Sequence, residues 1–263
     1  MHWLLQRNAL SRELDLFETI TGTLDRGSVP WTAVRALSFT DKIVGADENV
    51  NGKELADIPE IAIDVQGPIV VYGSYTLALI AAKRGWTPGS FVNDNFTHEA
   101  WVQGWGAERL LNGDAVVCRL DEIEGALRGR ENVFLRPLED TKSFSGMVQS
   151  HDEALWWAQS VIKAKSDQLN SATEIVVAST RSILAEYRLF VVDGRVVTSS
   201  LYKMGQRIIS DTYTPQGVLD FAQRCIELWV PDRAFVLDIA ETPEGFCIIE
   251  VNNINSAGVY AAN

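Results

Sequence analysis

Two apolar strands close the chain, and both carry oxygen-bearing side chains. Residues 234–241 read AFVLDIAE and residues 246–252 read FCIIEVN, with the turn sequence Thr-Pro-Glu-Gly at the junction. The oxygen-bearing side chains of interest are Asp238, Glu250 and Asn252. Because side chains alternate along a strand, Glu250 and Asn252 share one face. Carboxylate and amide oxygens are ligands that Mg²⁺ prefers. The segment therefore predicts a metal site for a phosphate-bearing substrate.

This metal prediction carries a geometric condition, because Asp238 must lie on the same side of the hairpin as Glu250. A four-residue loop over 242–245 would place the two carboxylates on opposite faces. An odd number of loop residues, such as 241–245, or a β-bulge would bring them to one face. The structure of the turn therefore decides whether the two acids can share a cation.

A second hairpin is predicted at Asp193-Gly194, which lies between two valine-rich runs. An Asp-Gly pair favours a type I′ turn, since that turn needs positive φ at both central residues. With a two-residue loop, Arg188 would face Ser199 and Glu186 would face Leu201.

In that register one strand face gathers three charged side chains at its far end, namely Glu186, Arg188 and Lys203. Tyr202 would point to the opposite, mainly bulky face, because it follows Leu201 along the strand. A solvated charged face and a polar functional site both remain open at this point.

Composition limits the possible functions. The chain has 263 residues, 46% of them hydrophobic, which is enough for a large core in one or two domains. A net charge of −12, with scattered basic residues, makes nucleic acid an unexpected partner. The three cysteines are far apart and the three histidines have no metal-ligand spacing. We expect a reduced, cytoplasmic protein.

Targeting segments are not expected either. The longest apolar stretch, residues 69–82, is interrupted by polar residues and is shorter than a membrane span, which needs roughly 20 residues. The N-terminus lacks the pattern of a secretory signal. We therefore expect no membrane association.

The front of the chain has the pattern of a small α/β domain. Residues 69–74 read as a buried strand with a short turn, and residues 76–85 read as a helix that ends at Gly85. Strand, turn and helix form half of a βαβ unit. Gly73 and Ser74 could cradle a phosphate, although packing is the favoured interpretation for them. We place this domain at residues 1–113 and a second at 114–263.

From about residue 132 onward, the segments resemble the ATP-grasp superfamily in the family's own order. The strand NVFLRP places Arg136 before Pro137, where most members have lysine and one clade has arginine. A loop with Lys142 and Gly146 follows, and then the inter-lobe strand 174–179. The Glu-x-Arg hairpin at 186–194 and the late Asp and Glu-x-Asn residues complete the match.

The resemblance implies a mixed α/β (α+β) fold, in which two α+β lobes clasp ATP behind a small α/β N-terminal domain. It implies Mg²⁺ held by Asp238, Glu250 and Asn252. It also implies phosphate contacts from Arg136 and from Lys142 on a lid. The adenine would lie along the inter-lobe strand, at Glu174, Val176, Val177, Ala178 and Ser179. Arg188, Lys203 and Glu186 would act at the transferred phosphoryl group.

The implied activity is an ATP-dependent, Mg²⁺-dependent ligation of a carboxylate to an amine through an acylphosphate. Small molecules or peptides would be the substrates, and a homodimer is possible. A small-molecule kinase on the same nucleotide site, or a nucleotide-binding module without turnover, are the alternatives. Residues 253–260 line the acceptor site or form an ordinary C-terminal tail; the sequence leaves both open.

Overall fold

A computed structural model describes residues 1–7, 16–38, 40–91, 93–138, 144, 146–164 and 169–262. These residues form three β-sheets with flanking helices. The mixed α/β fold class expected from the sequence is confirmed. No helix in the described ranges is both long enough and apolar enough to cross a bilayer.

The first sheet is formed by the N-terminal part of the chain and is mainly parallel. Its elements are β1 (His2–Gln6), α1 (Leu16–Arg26), β2 (Trp31–Ala36), β3 (Ile43–Gly45), β4 (Ile69–Tyr72), α2 (Tyr75–Lys83) and β5 (Pro88–Gly89), and α3 (His98–Trp105) follows. The strand order is β3-β2-β1-β4-β5, and among these only β3 runs antiparallel to its neighbour. The strand and helix predicted after residue 68 are therefore confirmed as β4 and α2.

Gly73 and Ser74, at the end of β4, have packing roles. The Gly73 N–H donates to the Asn255 carbonyl at 2.8 Å, and the Ser74 hydroxyl donates to Oε1 of Gln6 at 2.8 Å. A Cβ on Gly73 would lie 2.4 Å from the Gln6 Cβ, so the position has room only for glycine. These groups are engaged with protein atoms, which supports the packing interpretation over the phosphate cradle.

The C-terminal segment is attached to this first sheet through Asn255, which is 3% exposed. The Asn255 side chain donates to the Val71 carbonyl at 2.6 Å and accepts from the Phe91 N–H at 2.8 Å. Tyr72 also donates to the Ala257 carbonyl at 2.9 Å. The residues that follow the proposed metal ligands therefore bridge the last sheet to the first.

The second sheet is antiparallel and carries its helices on one face. Its elements are β6 (Val116–Arg119), α4 (Ile123–Leu127), β7 (Asn132–Pro137), β8 (Met147–Ser150), α5 (His151–Ala164) and β9 (Glu174–Ser179). The strand order is β6-β9-β7-β8, which makes the predicted inter-lobe strand β9 a central strand. Val133, Leu135, Ile175 and Val177 pack in one core with residues of α4 and α5.

The third sheet is also antiparallel, and its large apolar core includes residues of α3. Its elements are β10 (Ala185–Val192), β11 (Arg195–Met204), β12 (Arg207–Asp211), α6 (Gln216–Leu228), β13 (Ala234–Thr242) and β14 (Gly245–Asn252). The order is β12-β11-β10-β13-β14. Tyr187, Leu189 and Val191 of β10 face this core, and the alternate residues face the other side.

The predicted hairpin at Asp193-Gly194 is confirmed, with φ of 49° and 73° at the two turn residues. The predicted register is wrong beyond the first pairs. Arg188 lies opposite Ser200 instead of Ser199, and Glu186 lies opposite Lys203 instead of Leu201. Two β-bulges in the ladder cause the difference, because each adds one residue to β11 without a partner in β10.

Candidate active site

Asp238 and Glu250 lie directly opposite each other on β13 and β14. The turn leaves only two residues outside the ladder, since Thr242 pairs with Gly245. A bulge between the pairs Asp238–Glu250 and Ile239–Ile248 adds the residue that brings the two carboxylates to one face. The geometric condition stated for the metal prediction is therefore met by a bulge.

Asn252 joins these two acids. Its amide nitrogen donates to Oδ2 of Asp238 at 3.1 Å and to Oε1 of Glu250 at 2.9 Å. Within the parts of the chain that the structure describes, no three His, Cys, Asp or Glu side chains gather as a metal-binding group. A third protein ligand for a cation between the two acids could come from the amide oxygen of Asn252. Two carboxylates and an amide are a donor set that suits Mg²⁺.

Arg188 on β10 binds Asp238 from the neighbouring strand. Its Nε donates to Oδ1 at 2.9 Å and its Nη2 donates to Oδ2 at 2.7 Å, which makes a bidentate pair. Nη1 donates to the Gly258 carbonyl at 3.1 Å. Arg188 is 9% exposed and Asp238 is 1% exposed. The guanidinium is therefore held rigidly against the proposed metal ligand.

The carboxyl of Asp238 has a raised pKa, at about 6 against an ordinary 3.8. Burial is the main cause, and the negative charges of Glu250 and Glu186 act in the same direction. Arg188 opposes the shift through its hydrogen bonds and its charge. Acidic side chains thus crowd around Asp238, and a cation bound among them would favour its charged form.

Glu186, Tyr202 and Lys203 form a second polar group on the same side of the sheet. The Tyr202 hydroxyl donates to Oε2 of Glu186 at 2.7 Å, and Lys203 Nζ is paired with Oε1. The expectation that Tyr202 points to the bulky face is wrong. The bulge between the pairs Tyr187–Leu201 and Glu186–Lys203 leaves Tyr202 as the extra residue, so it can turn toward Glu186.

Two tyrosines cover the Arg188 guanidinium. The rings of Tyr202 and Tyr260 are stacked, with centroids 5.0 Å apart and an interplanar angle of 16°. The Arg188 guanidinium carbon lies 5.4 Å from the first ring centroid and 5.1 Å from the second. Tyr260 has a φ of 50°, a strained value for a residue with a side chain. Residues 253–260, which follow Glu250 and Asn252, therefore contribute Tyr260 to the surroundings of Arg188.

The predicted phosphate and adenine residues lie on the second sheet. Arg136 pairs with Val176, and Phe134 pairs with Ala178, so these four residues share one face. Pairing and alternation place the half-exposed Val117 and exposed Val148 on the same side. On this face, on the side away from α4 and α5, Val176 and Ala178 are buried, whereas Arg136 is partly exposed. Lys142 lies outside the described residues.

The other residues of the predicted adenine strand divide between the two faces. Glu174 shares the face of Val176, whereas Val177 packs into the core beneath the helices. The Ser179 N–H donates to Oδ2 of Asp114 at 3.1 Å. Val176 and Val177 pair with both β6 and β7, whereas Ala178 pairs with β7 alone. The edge of β9 that faces β6 is therefore open from Ala178 onward.

Comparisons with known proteins agree with this architecture. A family model described as an ATP-grasp domain matches residues 114–263. No curated protein matches the chain by sequence. Among solved structures, a RimK domain ATP-grasp protein from Sphaerobacter thermophilus is 16% identical with a TM-score of 0.62, and the match covers 97% of this chain and 92% of that one.

Two other solved structures show the same fold. D-alanyl-alanine synthetase A from Vibrio cholerae is 11% identical with a TM-score of 0.58, over 99% of this chain and 90% of that one. The ATP-grasp ligase PsnB, complexed with a precursor peptide and AMPPNP, is 12% identical with a TM-score of 0.56, over 99% and 89%. The family match spans more than half of the 263 residues, and the chain therefore belongs to the ATP-grasp domain family.

Proposed function

We propose that this protein is an ATP- and Mg²⁺-dependent ligase that joins a carboxylate to an amine through an acylphosphate. The observation that carries this proposal is the convergence of Asp238, Glu250 and Asn252 beside Arg188, within an ATP-grasp fold. The proposed division of the chain is a front α/β domain at residues 1–113 and an ATP-grasp domain at residues 114–263.

In this proposal Asp238, Glu250 and Asn252 hold the metal. When bound, Mg²⁺ neutralises charge on the phosphate oxygens. Because the amide nitrogen of Asn252 donates to both acids in the structure, the amide would have to turn for its oxygen to join the two carboxylates. Arg188 keeps Asp238 in one orientation, because both carboxylate oxygens accept from the guanidinium. The raised pKa of Asp238 means that the proton and the cation compete for this carboxylate.

The nucleotide would lie against the open face of the second sheet. Because the side chains of Val176 and Ala178 are buried, adenine would be read by backbone groups at the open end of this strand, and Arg136 would bind phosphate oxygens. Lys142 is proposed to bind phosphate as well. Glu174, Val177 and Ser179 belong to the adenine strand, where Val177 and Ser179 would act by holding the strand in place.

The chemistry requires positive charge where negative charge develops. A carboxylate oxygen of the substrate attacks the γ-phosphorus, the bond to the leaving ADP oxygen breaks, and an acylphosphate forms. The amine then attacks the acyl carbon, inorganic phosphate leaves with its electron pair, and the amine loses a proton to solvent. Lys203 and Arg188 are proposed to stabilise the charge on the transferred group, and Glu186 orients Lys203.

We propose small carboxylic acids, amino acids or short peptides as substrates. The similarity to a D-alanyl-alanine synthetase and to a ligase bound to a precursor peptide supports this class. A cytoplasmic location and a homodimer belong to the proposal as well.

The test is a screen for Mg²⁺-dependent ADP formation across amino acids and short peptides. We expect ADP release that requires both a carboxylate and an amine. Glu250→Gln should abolish it, and Glu244→Gln, an exposed position in the turn of the same hairpin, should not. A stable phosphorylated product without ligation would overturn the ligase in favour of a kinase. ATP binding without ADP formation in any substrate mixture would overturn the proposal that the protein is an enzyme.

A further inference from the structure

Tyr202 occupies a position that a regular strand would not give it. Tyr202 and Lys203 are consecutive, yet both side chains reach the same carboxylate, that of Glu186. Consecutive side chains of a regular strand point to opposite faces. The bulge at Tyr202 removes this constraint, and bulges that re-aim side chains are frequent beside active sites.

We propose that Tyr202 is a positioning residue, which fixes Glu186 through its hydroxyl and the Arg188 guanidinium through its ring. The inference rests on the proposed function, since it concerns the two basic groups assigned to the transferred phosphoryl group. Glu186 is 7% exposed, and its two carboxylate oxygens accept from Tyr202 and Lys203 respectively. Because the tyrosine fixes the carboxylate, the lysine that pairs with it is held in one orientation.

The chemistry of the hydroxyl suits this role. Burial raises the pKa of Tyr202 well above its ordinary value, and the charges of Asp238 and Glu186 add to the effect. Tyr202 therefore remains a neutral donor across the working pH range. Without the hydroxyl, one oxygen of a buried carboxylate loses its donor, and the Glu186 side chain is free to rotate.

The chain offers a matched control on the opposite face of the same hairpin. The Tyr187 hydroxyl donates to Oε2 of Glu241 at 2.8 Å, almost the same distance as from Tyr202 to Glu186. Burial raises the pKa of Tyr187 too. Tyr187→Phe therefore removes the same chemical group from the same pair of strands, on the core face instead of the site face.

The experiment compares Tyr202→Phe with Tyr187→Phe in the full-length protein. We expect Tyr202→Phe to lower kcat about tenfold or more, the scale of a hydrogen bond to a charged group, with KM for ATP unchanged. Tyr187→Phe should leave kcat unchanged. Labelling of Lys203 by an amine-reactive acylating reagent, followed by mass spectrometry, should be faster in Tyr202→Phe only.

Equal kcat and equal Lys203 labelling in the two variants would overturn the positioning role. The labelling needs no turnover, which separates this inference from the proposed function. If the wild-type protein forms no ADP, the proposed function fails, and the labelling rates still decide whether Tyr202 holds the Glu186–Lys203 pair.

Discussion

Replacing Arg188 with methionine tests the most buried ion pair near the site. Arg188 and Asp238 are 9% and 1% exposed, and their two hydrogen bonds measure 2.9 and 2.7 Å. Methionine preserves much of the side-chain volume and removes the charge. Breaking a buried pair by removing one partner costs about 3–5 kcal/mol, because the remaining carboxyl stays buried without its partner and must keep an uncompensated charge or take up a proton. We expect a loss of this size in Arg188→Met at neutral pH.

The assay is urea unfolding of the wild type, Arg188→Met and the double variant Arg188→Met/Asp238→Leu. Replacing both partners with apolar side chains removes the orphaned charge as well as the pair. The double variant should therefore be more stable than Arg188→Met alone. The interaction free energy from the double-mutant cycle should be roughly 2–3 kcal/mol.

The loss of stability in Arg188→Met should also depend on pH, and the direction follows from the pKa of Asp238. The folded-state pKa of Asp238 is about 6, above its ordinary 3.8, so its contribution to stability is present at low pH and is lost as pH rises through 6. Removing Arg188 takes away the group that opposes this shift, so the pKa should rise further. The deficit of Arg188→Met relative to the wild type should therefore be smaller at about pH 5 than at neutral pH.

Two outcomes would refute this reasoning. A loss below about 1 kcal/mol in Arg188→Met would mean that the carboxylate is not desolvated as its burial indicates. A deficit that stays constant from acid to neutral pH would mean that the orphaned charge on Asp238 is not its cause.

Individual contacts give three further predictions. Because Asp238 has a raised pKa, the affinity for Mg²⁺ measured by calorimetry should fall as pH drops below about 6, and a flat pH profile would exclude Asp238 as a ligand. Arg136→Ala should weaken ATP binding about tenfold or more in equilibrium titrations, and an unchanged Kd would contradict its phosphate role. Gly73→Ala should lower Tm through a cost of about 1–3 kcal/mol, because its Cβ would clash with Gln6; a wild-type Tm would show that Gln6 moves aside.

The sequence predicted the elements that depend on local patterns. The Asp193-Gly194 turn, the strand at β4 and the helix at α2 each follow from short-range rules, and the structure has all three. The family assignment, which was inferred from five motifs in the expected order, is also confirmed, because an ATP-grasp family model matches residues 114–263. The roles of the individual site residues stay predictions.

The residues that the sequence did not reveal depend on pairing between strands. Tyr202 was placed on the wrong face because a count from the turn assumes one residue per partner, and the bulges break that count. Tyr260 lies far from Arg188 in sequence and reaches it only through the path of residues 253–260. No local pattern encodes either contact. The charged residues Glu186, Arg188 and Lys203 were the signal in the sequence that a polar site lies near Tyr202.

The bulge in the last hairpin, by contrast, was one of two alternatives that the sequence and the proposed chemistry left open. Thr-Pro-Glu-Gly favours a tight turn, and a tight turn with a regular ladder would separate Asp238 from Glu250 across the sheet. If both acids serve one cation, the hairpin needs either an odd number of loop residues or an extra residue in one strand, and the irregularity between the pairs of Asp238 and Ile239 supplies the extra residue in β14. The proposed metal site thus restricted the hairpin to an odd-numbered loop or a bulge, because two acids on opposite faces of a sheet cannot bind one ion, and the structure has the bulge.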